Sequence, residues 1–351
     1  MEQPGIEREY LGGIMTNLEN TTTDPSVSFI IPARDEERII GSCLDAIGKL
    51  NYDHGLIECL LMDNGSLDGT ANVAQAKGAK VLVLPDVTIS KLRNAGAAAS
   101  KGEFLAFVDA DCVVDRDWVR NALRHFRDPN VCCVGSHPQI PERSTWVQKC
   151  WSSLVQNKKL VAKVDWLPSM NMLVRKKTFA EIGGFNEALT TCEDVDLCYR
   201  MRKKGYRIIS DRAVRSVHFG EARTVVEFFN KERWRGQSNL RGLRSHSFYW
   251  QELPSLALPI FYLIAMASLP MALVAMFIGH SRPILIAVGL ISLPALLIAL
   301  QTSWKLRSFS GFARLFVLAS VYALARAVAI LPVKHSRRVK SSPVSNKAIE
   351  A

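Results

Sequence analysis

The eight cysteines, Cys43, Cys59, Cys112, Cys132, Cys133, Cys150, Cys192 and Cys198, include no Cys-x-x-Cys pair and have no histidine nearby at zinc-finger spacing. A zinc ribbon or finger is thereby excluded, and eight in 351 residues are too few for a disulfide scaffold. They read as reduced, mostly buried thiols of a cytosolic domain. No Gly-x-Gly-x-x-Gly follows a strand-like run and no Gly-Lys-Ser/Thr phosphate loop occurs, which disfavours a dinucleotide dehydrogenase and a P-loop NTPase. Residues 1 to 24 lack the apolar run of about 7 to 15 residues that a secretory signal needs, so the catalytic part is expected to stay in the cytosol. Acid is in short supply: 33 Asp+Glu stand against 44 Lys+Arg, a net charge of +11.

Hydrophobic residues make up 48% of the chain and the mean hydropathy is +0.07, an average that hides a division near residue 250. Apolar runs before it are short. After it come Leu253 to Gly279, Pro283 to Leu300 and Phe309 to Val333, nearly free of acid. A helix crosses a bilayer with about 20 apolar residues, so these are predicted to be membrane segments. The third carries Arg314 and Arg326, unfavourable at mid-bilayer, and is expected to lie along the interface or to pack as a tilted, snorkelling helix. Between residues 221 and 250, Arg223, Lys231, Arg233, Arg235, Arg241 and Arg244 interleave with Val225, Phe228, Phe229, Trp234, Phe248 and Tyr249. Beside membrane segments this pattern favours anionic lipid headgroups over nucleic acid. The predicted organisation is a polar arm at 1–25, a catalytic domain at 26–220, an interfacial segment at 221–252, membrane segments at 253–333 and a basic tail at 334–351.

Residues 26 to 220 alternate short apolar runs with amphipathic stretches. Val27 to Ile31 reads as a strand, and Ile39, Ile40, Cys43, Leu44 and Ile47 then recur at helical spacing. Ile57 to Met62, Lys80 to Leu84 and Phe104 to Val108 repeat the alternation, which predicts an α/β fold with a mostly parallel sheet. Such sheets bind ligands at the carboxyl ends of their strands. Pro32-Ala33-Arg34-Asp35-Glu36, Asp63-Asn64-Gly65-Ser66 and Asp109-Ala110-Asp111 fall at those ends. Paired strand-end carboxylates can be turn formers, or can hold a hard cation that completes its shell with substrate phosphate oxygens.

These residues resemble the family 2 glycosyltransferases of GT-A fold from about Ser26 to His218. The pieces occur in family order: Phe29 to Glu36, Asp63-Asn64-Gly65-Ser66-x-Asp68-Gly69-Thr70, Arg93-Asn94-Ala95-Gly96, Val108-Asp109-Ala110-Asp111, Gly183-Gly184-Phe185-Asn186-Glu187 and Glu193-Asp194-Val195-Asp196-Leu197. The resemblance implies that Pro32, Ala33, Arg34 and Glu36 border the nucleotide, with Asn64 beside Asp63, which accepts from the base and suggests a UDP-sugar. Arg93 and Asn94 would lie near the diphosphate or donor sugar. Asp109, beside Ala110, would contact the ribose or a metal, and Asp111 would ligate Mn2+ or Mg2+, with His218 either a further ligand or merely hydrogen-bonded.

By the same resemblance Asp194 is the general base beside Glu193, on the acceptor side. Asn230-Lys231-Glu232-Arg233-Trp234 is similar to the Gln-x-x-Arg-Trp motif of polysaccharide synthases with Asn230 in place of Gln, which would put Arg233 and Trp234 on the acceptor side too. Trp234 either stacks on a sugar or anchors at the membrane surface. Asn171 faces the donor sugar or is a buried strand polar group, and Gly183 with Gly184 forms a tight turn beneath the acceptor site.

The expectation is an inverting, metal-dependent transferase moving one sugar from a nucleotide-diphospho-sugar to a polyprenyl-phosphate, lipid-linked oligosaccharide or other glycan acceptor. It would work at the cytosolic face of the inner membrane in cell-surface polysaccharide or glycolipid synthesis. A polyprenyl-phosphate sugar synthase, a nucleotidyltransferase and a non-catalytic scaffold are the rivals. If two segments cross fully and one partially, the tail with Lys334, Arg337, Arg338 and Lys340 returns to the cytosol, as its charge requires. A reporter fused after Lys340 should then signal from the cytosol; a periplasmic signal would mean three full crossings.

Overall fold

In a computed structural model the described residues are 24–156, 159–237 and 253–331. Most of the arm, Arg241, Arg244, Phe248 and Tyr249, and the tail cations lie outside them. The first half runs β1 (Val27–Ala33), α1 (Glu37–Ile47), β2 (Ile57–Asp63), α2 (Thr70–Ala76), β3 (Lys80–Val83), α3 (Ile89–Ala99), β4 (Phe104–Val108) and β5 (Cys112–Val114). It continues with α4 (Trp118–Leu123), β6 (Val131–Gly135), α5 (Trp146–Val155), β7 (Val161–Lys163), β8 (Asn171–Arg175), α6 (Lys176–Ile182) and α7 (Glu193–Lys203). Then come β9 (Arg207–Asp211), β10 (Ser216–His218), α8 (Val225–Gly236), α9 (Leu253–Ala267), α10 (Leu269–Phe277), α11 (Arg282–Leu306) and α12 (Phe312–Ile330).

Eight strands form one sheet in the order β3-β2-β1-β4-β8-β6-β9-β7. The β3-β2-β1-β4 half is parallel, as the strand-helix alternation predicts. Beyond it β8 runs antiparallel to both β4 and β6. Strand β1 is buried along its whole length, which only an element covered on both faces can be. Phe29 and Ile31 join one apolar layer with Ile40, Cys43, Leu44 and Trp118. Ile30 turns to the other, with Leu92, Phe107, Phe185 and Leu197.

Asn171 belongs to this core and not to a sugar site. It is fully buried, accepts from Trp118 Nε1 at 2.7 Å, and donates to the carbonyls of Ser136 and Val214 at 3.0 Å. The eight cysteines form no disulfide.

Three helical stretches, Ala257–Phe277, Arg282–Leu306 and Phe312–Ile330, are long and apolar enough to cross a membrane. Met271, Val274, Phe277, Leu285, Ile286 and Val288 point outward, as lipid-facing side chains do. The third stretch, α12, also packs on the catalytic domain: Leu315 and Leu318 join Val147 and Cys150 of α5 and Phe228 of α8. A Cβ on Gly236 would come within 2.7 Å of Ala329, so small residues let α8 and α12 approach closely.

Arg326 of α12 does not snorkel in this arrangement. Its Nη2 lies 2.8 Å from Glu232 Oε2, while Arg235 Nη1 reaches Glu232 Oε1 at 2.6 Å. Glu232 has no solvent exposure, and its single negative charge is shared between the two arginines. Removing one member of a buried ionic group leaves unpaired charge, at a cost of roughly 3–5 kcal/mol. Glu232→Ala should therefore lower the thermal unfolding midpoint of the detergent-solubilised chain by several degrees, and an unchanged midpoint would show that the triad adds no net stability.

Candidate active site

The chain leaves β4 at Val108 and turns through Asp109-Ala110-Asp111 into β5, whose partner is the antiparallel β10. Their register sets His218 opposite Cys112, and Phe219 N donates to the Asp111 carbonyl at 2.9 Å. His218 Nε2 thereby stands 3.2 Å from Asp111 Oδ2. Its other nitrogen, Nδ1, is 3.3 Å from Glu221 Oε1, and Lys231 and Arg235 hold that carboxylate in turn at 3.3 and 3.4 Å. Burial pushes Asp111 up, but His218 outweighs it and keeps the carboxyl below its usual range. Burial likewise pulls His218 down, yet Asp111 and Glu221 bring it up to about 9.

This corner fits a divalent cation. An imidazole nitrogen and a hard carboxylate oxygen converge, a donor set suited to Mn2+. No side chain could intrude, because a Cβ on Gly220 would sit 2.0 Å from Asp111 Oδ2 and 3.0 Å from His218 Nε2. Cys112 is the third group within 4.8 Å, but burial holds its thiol well above its ordinary range and it belongs to the core. Nearby, burial and then Asp111 and Asp109 push Glu36 up to about 8, a measure of how crowded with negative charge this end of the sheet is.

Arg93, on α3, is almost wholly buried and sets Nη2 on Asp109 Oδ1 at 2.7 Å and Nη1 on Glu193 Oε1 at 2.8 Å. Its guanidinium is thus engaged by the two acids instead of reaching out toward a diphosphate. Asn94 takes a structural role as well. Its amide donates to Phe185 O and Glu187 Oε1 and accepts from Phe185 N, pinning the turn at Gly183 and Gly184, both at positive φ.

Asp194 is the second residue of α7, whose first, Glu193, follows Cys192, left-handed at φ 65°. The helix start predicts a carboxylate held ionised, but burial and then Glu193 push Asp194 up to about 7 against the Val195 N–H and Arg93. The dipole loses to desolvation here.

A cavity of about 790 Å³ joins these groups. Its lining includes Arg93, Asp109, Asp111 and His218, the acids Glu193 and Asp194, and Trp234 of α8 with Tyr322 and Arg326 of α12. Of the expected acceptor-side residues, Arg233 is absent from this lining; its guanidinium lies 6.0 Å from the Phe229 ring centroid instead. Sequence reasoning assigned no role in the site to Glu221, Lys231, Arg235, Tyr322 or Arg326. The signal available was an arginine inside an apolar segment, which marks a function or a partner by default.

Of the expected nucleotide residues, those at the ends of β1 and β2 are absent from the cavity lining. Pro32 and Ala33 are buried in β1, and Arg34 pairs with Asp86 at 3.2 Å. Asp63 is engaged by Ser66, and Asn64 exchanges two hydrogen bonds with the Val87 backbone at 3.1 Å. Asp63 is therefore a turn-holding carboxylate in this state, with its hydrogen-bonding edge occupied.

Residues 28–182 match the family model described as glycosyl transferase family 2. Glycosyltransferase AglE of Haloferax volcanii is 29% identical over 221 residues, 60% of this chain and 72% of the relative. The pre-mycofactocin glycosyltransferase of Mycobacterium tuberculosis is 31% identical over 138 residues, 33% of this chain, and the match spans only 27% of that relative's length. Among solved structures, the mannosyltransferase PcManGT from Pyrobaculum calidifontis, in complex with GDP-Man and Mn2+, superposes with a TM-score of 0.58 at 17% identity. That likeness covers 92% of this chain and 93% of that one and shows a shared fold.

Gly220→Ala should force Asp111 and His218 apart. We expect Mn2+ affinity, read by the paramagnetic resonance signal of unbound Mn2+, to fall by about 10–100-fold; an unchanged affinity would place the cation elsewhere.

Proposed function

Given that the chain carries a family 2 glycosyltransferase domain and is a glycosyltransferase using a nucleotide-sugar donor, we propose that it transfers a single sugar, with inversion, to a membrane-proximal acceptor at the cytosolic face of the inner membrane. The observation that carries this reading is that Asp109, Asp111, His218 and Asp194 line the same cavity as Tyr322 and Arg326 of an apolar helix.

Asp111 and His218 would hold Mn2+ or Mg2+, with Asp109 beside them, and the cation would neutralise the charge of the departing diphosphate. Arg93 fixes Asp109 relative to Glu193, and so fixes the leaving-group end relative to the base. Asp194 removes the acceptor proton, and a carboxyl titrating near 7 is matched to that work at neutral pH. An acid on a segment separate from the Asp109-Ala110-Asp111 turn can approach the sugar from the face opposite the diphosphate, which is the geometry of inversion. Arg326 and Tyr322 in the cavity lining support an acceptor that enters beside the apolar helices.

Asp111→Asn and Asp194→Asn should each reduce sugar transfer by at least about a hundredfold, with thermal midpoints close to that of the parent protein. Wild-type turnover in either would remove its assigned role. Chelation should stop nucleotide release and added Mn2+ restore it. Because the raised pKa keeps Asp194 protonated in acid, kcat should climb as pH passes through about 7 and level off above it; a flat profile from pH 5 to 9 would exclude Asp194 as base.

A further inference from the structure

His218 faces the metal corner with one ring nitrogen, and the other nitrogen decides how the ring stands. Nε2 lies 3.2 Å from Asp111 Oδ2, while Nδ1 lies 3.3 Å from Glu221 Oε1. Glu221 lines the cavity, but it does not belong to the group whose ligand atoms converge there, which among the described residues is Asp111, Cys112 and His218. A cation held by Nε2 leaves the ring hydrogen on Nδ1, and a buried N–H needs an acceptor. The His218 side chain is almost wholly buried, and Glu221 stands where that acceptor is needed. The torsion that orients an imidazole ring is broad, so a partner has to set it.

Glu221 is itself held from two helices. Gln148 of α5, a buried side chain, donates Nε2 to the Glu221 main-chain carbonyl at 3.2 Å. From α8, Lys231 Nζ lies 3.3 Å from Glu221 Oε2 and donates to the Gly220 carbonyl at 2.9 Å. Arg235 Nη2 lies 3.4 Å from Oε1. Lys231 and Arg235 are one helical turn apart, so they share a face of α8. That face is seated in turn, because Arg235 also meets Glu232, and Glu232 meets Arg326 of α12. Both oxygens of Glu221 are thus engaged by protein groups, with Oε1 shared between the imidazole and Arg235. A carboxylate restrained in this way can restrain the ring it touches.

We propose that Glu221 is a positioning residue of the metal corner: it accepts the Nδ1 hydrogen of His218 and so keeps Nε2 aimed at the cation beside Asp111. It acts through His218 and contacts neither the cation nor the reacting sugar. This inference rests on the reading of Asp111 and His218 as metal ligands and adds to it a carboxylate outside the ligand set. Removing such a partner weakens a metal site even though every ligand is still present.

The full chain in detergent is titrated with Mn2+ in the absence of any sugar nucleotide, and the unbound ion is read by its paramagnetic resonance signal. We expect Glu221→Ala to weaken Mn2+ binding by about 10–100-fold. Glu221→Gln keeps an oxygen where Oε1 stands, and Lys231 keeps the Gly220 carbonyl, so this variant should recover most of the lost affinity. A Gln variant as weak as the Ala variant would show that the negative charge matters and the hydrogen bond to Nδ1 does not, which overturns the inference. So would an Ala variant that binds Mn2+ like the parent while His218→Ala binds it weakly. Parental affinity in His218→Ala would instead remove the cation from this corner, and the metal reading with it. Should Glu221→Ala fail to fold, Glu221→Asp draws the carboxylate back by one methylene and takes its place. A loss of about tenfold is then expected, and no loss would overturn the inference.

Discussion

Arg93 reaches from helix α3 to place one nitrogen on Asp109 and the other on Glu193, and it does so where water scarcely enters. A guanidinium in that position must keep its partners, because a buried cation without them is far less stable than an exposed one. The turn after β4 and the start of α7 are therefore held in one fixed relation. The same helical turn supplies Asn94, which pins the backbone of Phe185, and Phe185 lies under the Arg93 guanidinium at 5.6 Å. Two consecutive residues thus set the positions of Asp109, Glu193 and the double-glycine turn. The raised pKa of Asp194 grows from the same compactness: it is buried beside a second acid, and Arg93 only partly compensates.

From the acid pair a run of charged contacts continues to the membrane part. Asp111 meets His218, His218 meets Glu221, Glu221 meets Arg235, Arg235 meets Glu232, and Glu232 meets Arg326. Every acid in this run has a cation on each side except Asp111, whose remaining oxygen faces the cavity. Such alternation lets several charges share a poorly hydrated space, and each member fixes the orientation of the next. Helix α12 is accordingly part of the wall of the candidate cavity as well as an apolar helix long enough to cross a membrane.

The parallel half of the sheet could be read directly from the chain, because Val27 to Ile31, Ile57 to Met62, Lys80 to Leu84 and Phe104 to Val108 are short apolar runs separated by helical periodicity. The antiparallel strand β8 could not, since a five-residue buried strand has the same pattern in either direction. The placement of Asp109, Asp111 and Asp194 around one cavity was likewise legible as motif order. Partnerships were not. Arg93 and Asn94 look like ligand-facing polar residues in the sequence, yet their hydrogen bonds go to protein groups far along the chain. Arg326 announced itself as a charge in an apolar segment, but its partner Glu232 lies in another element, and only the packing of α8 on α12 brings the two together.

That pairing also bears on how α12 meets a bilayer. An arginine in an apolar helix resists entry into the bilayer by up to about 2.5–3.5 kcal/mol, and its compensating carboxylate, Glu232, comes earlier in the chain, on α8. In the folded chain that penalty is offset where α12 packs on α8. The charge inside this apolar helix is thus matched by a carboxylate that stands outside all three apolar helices.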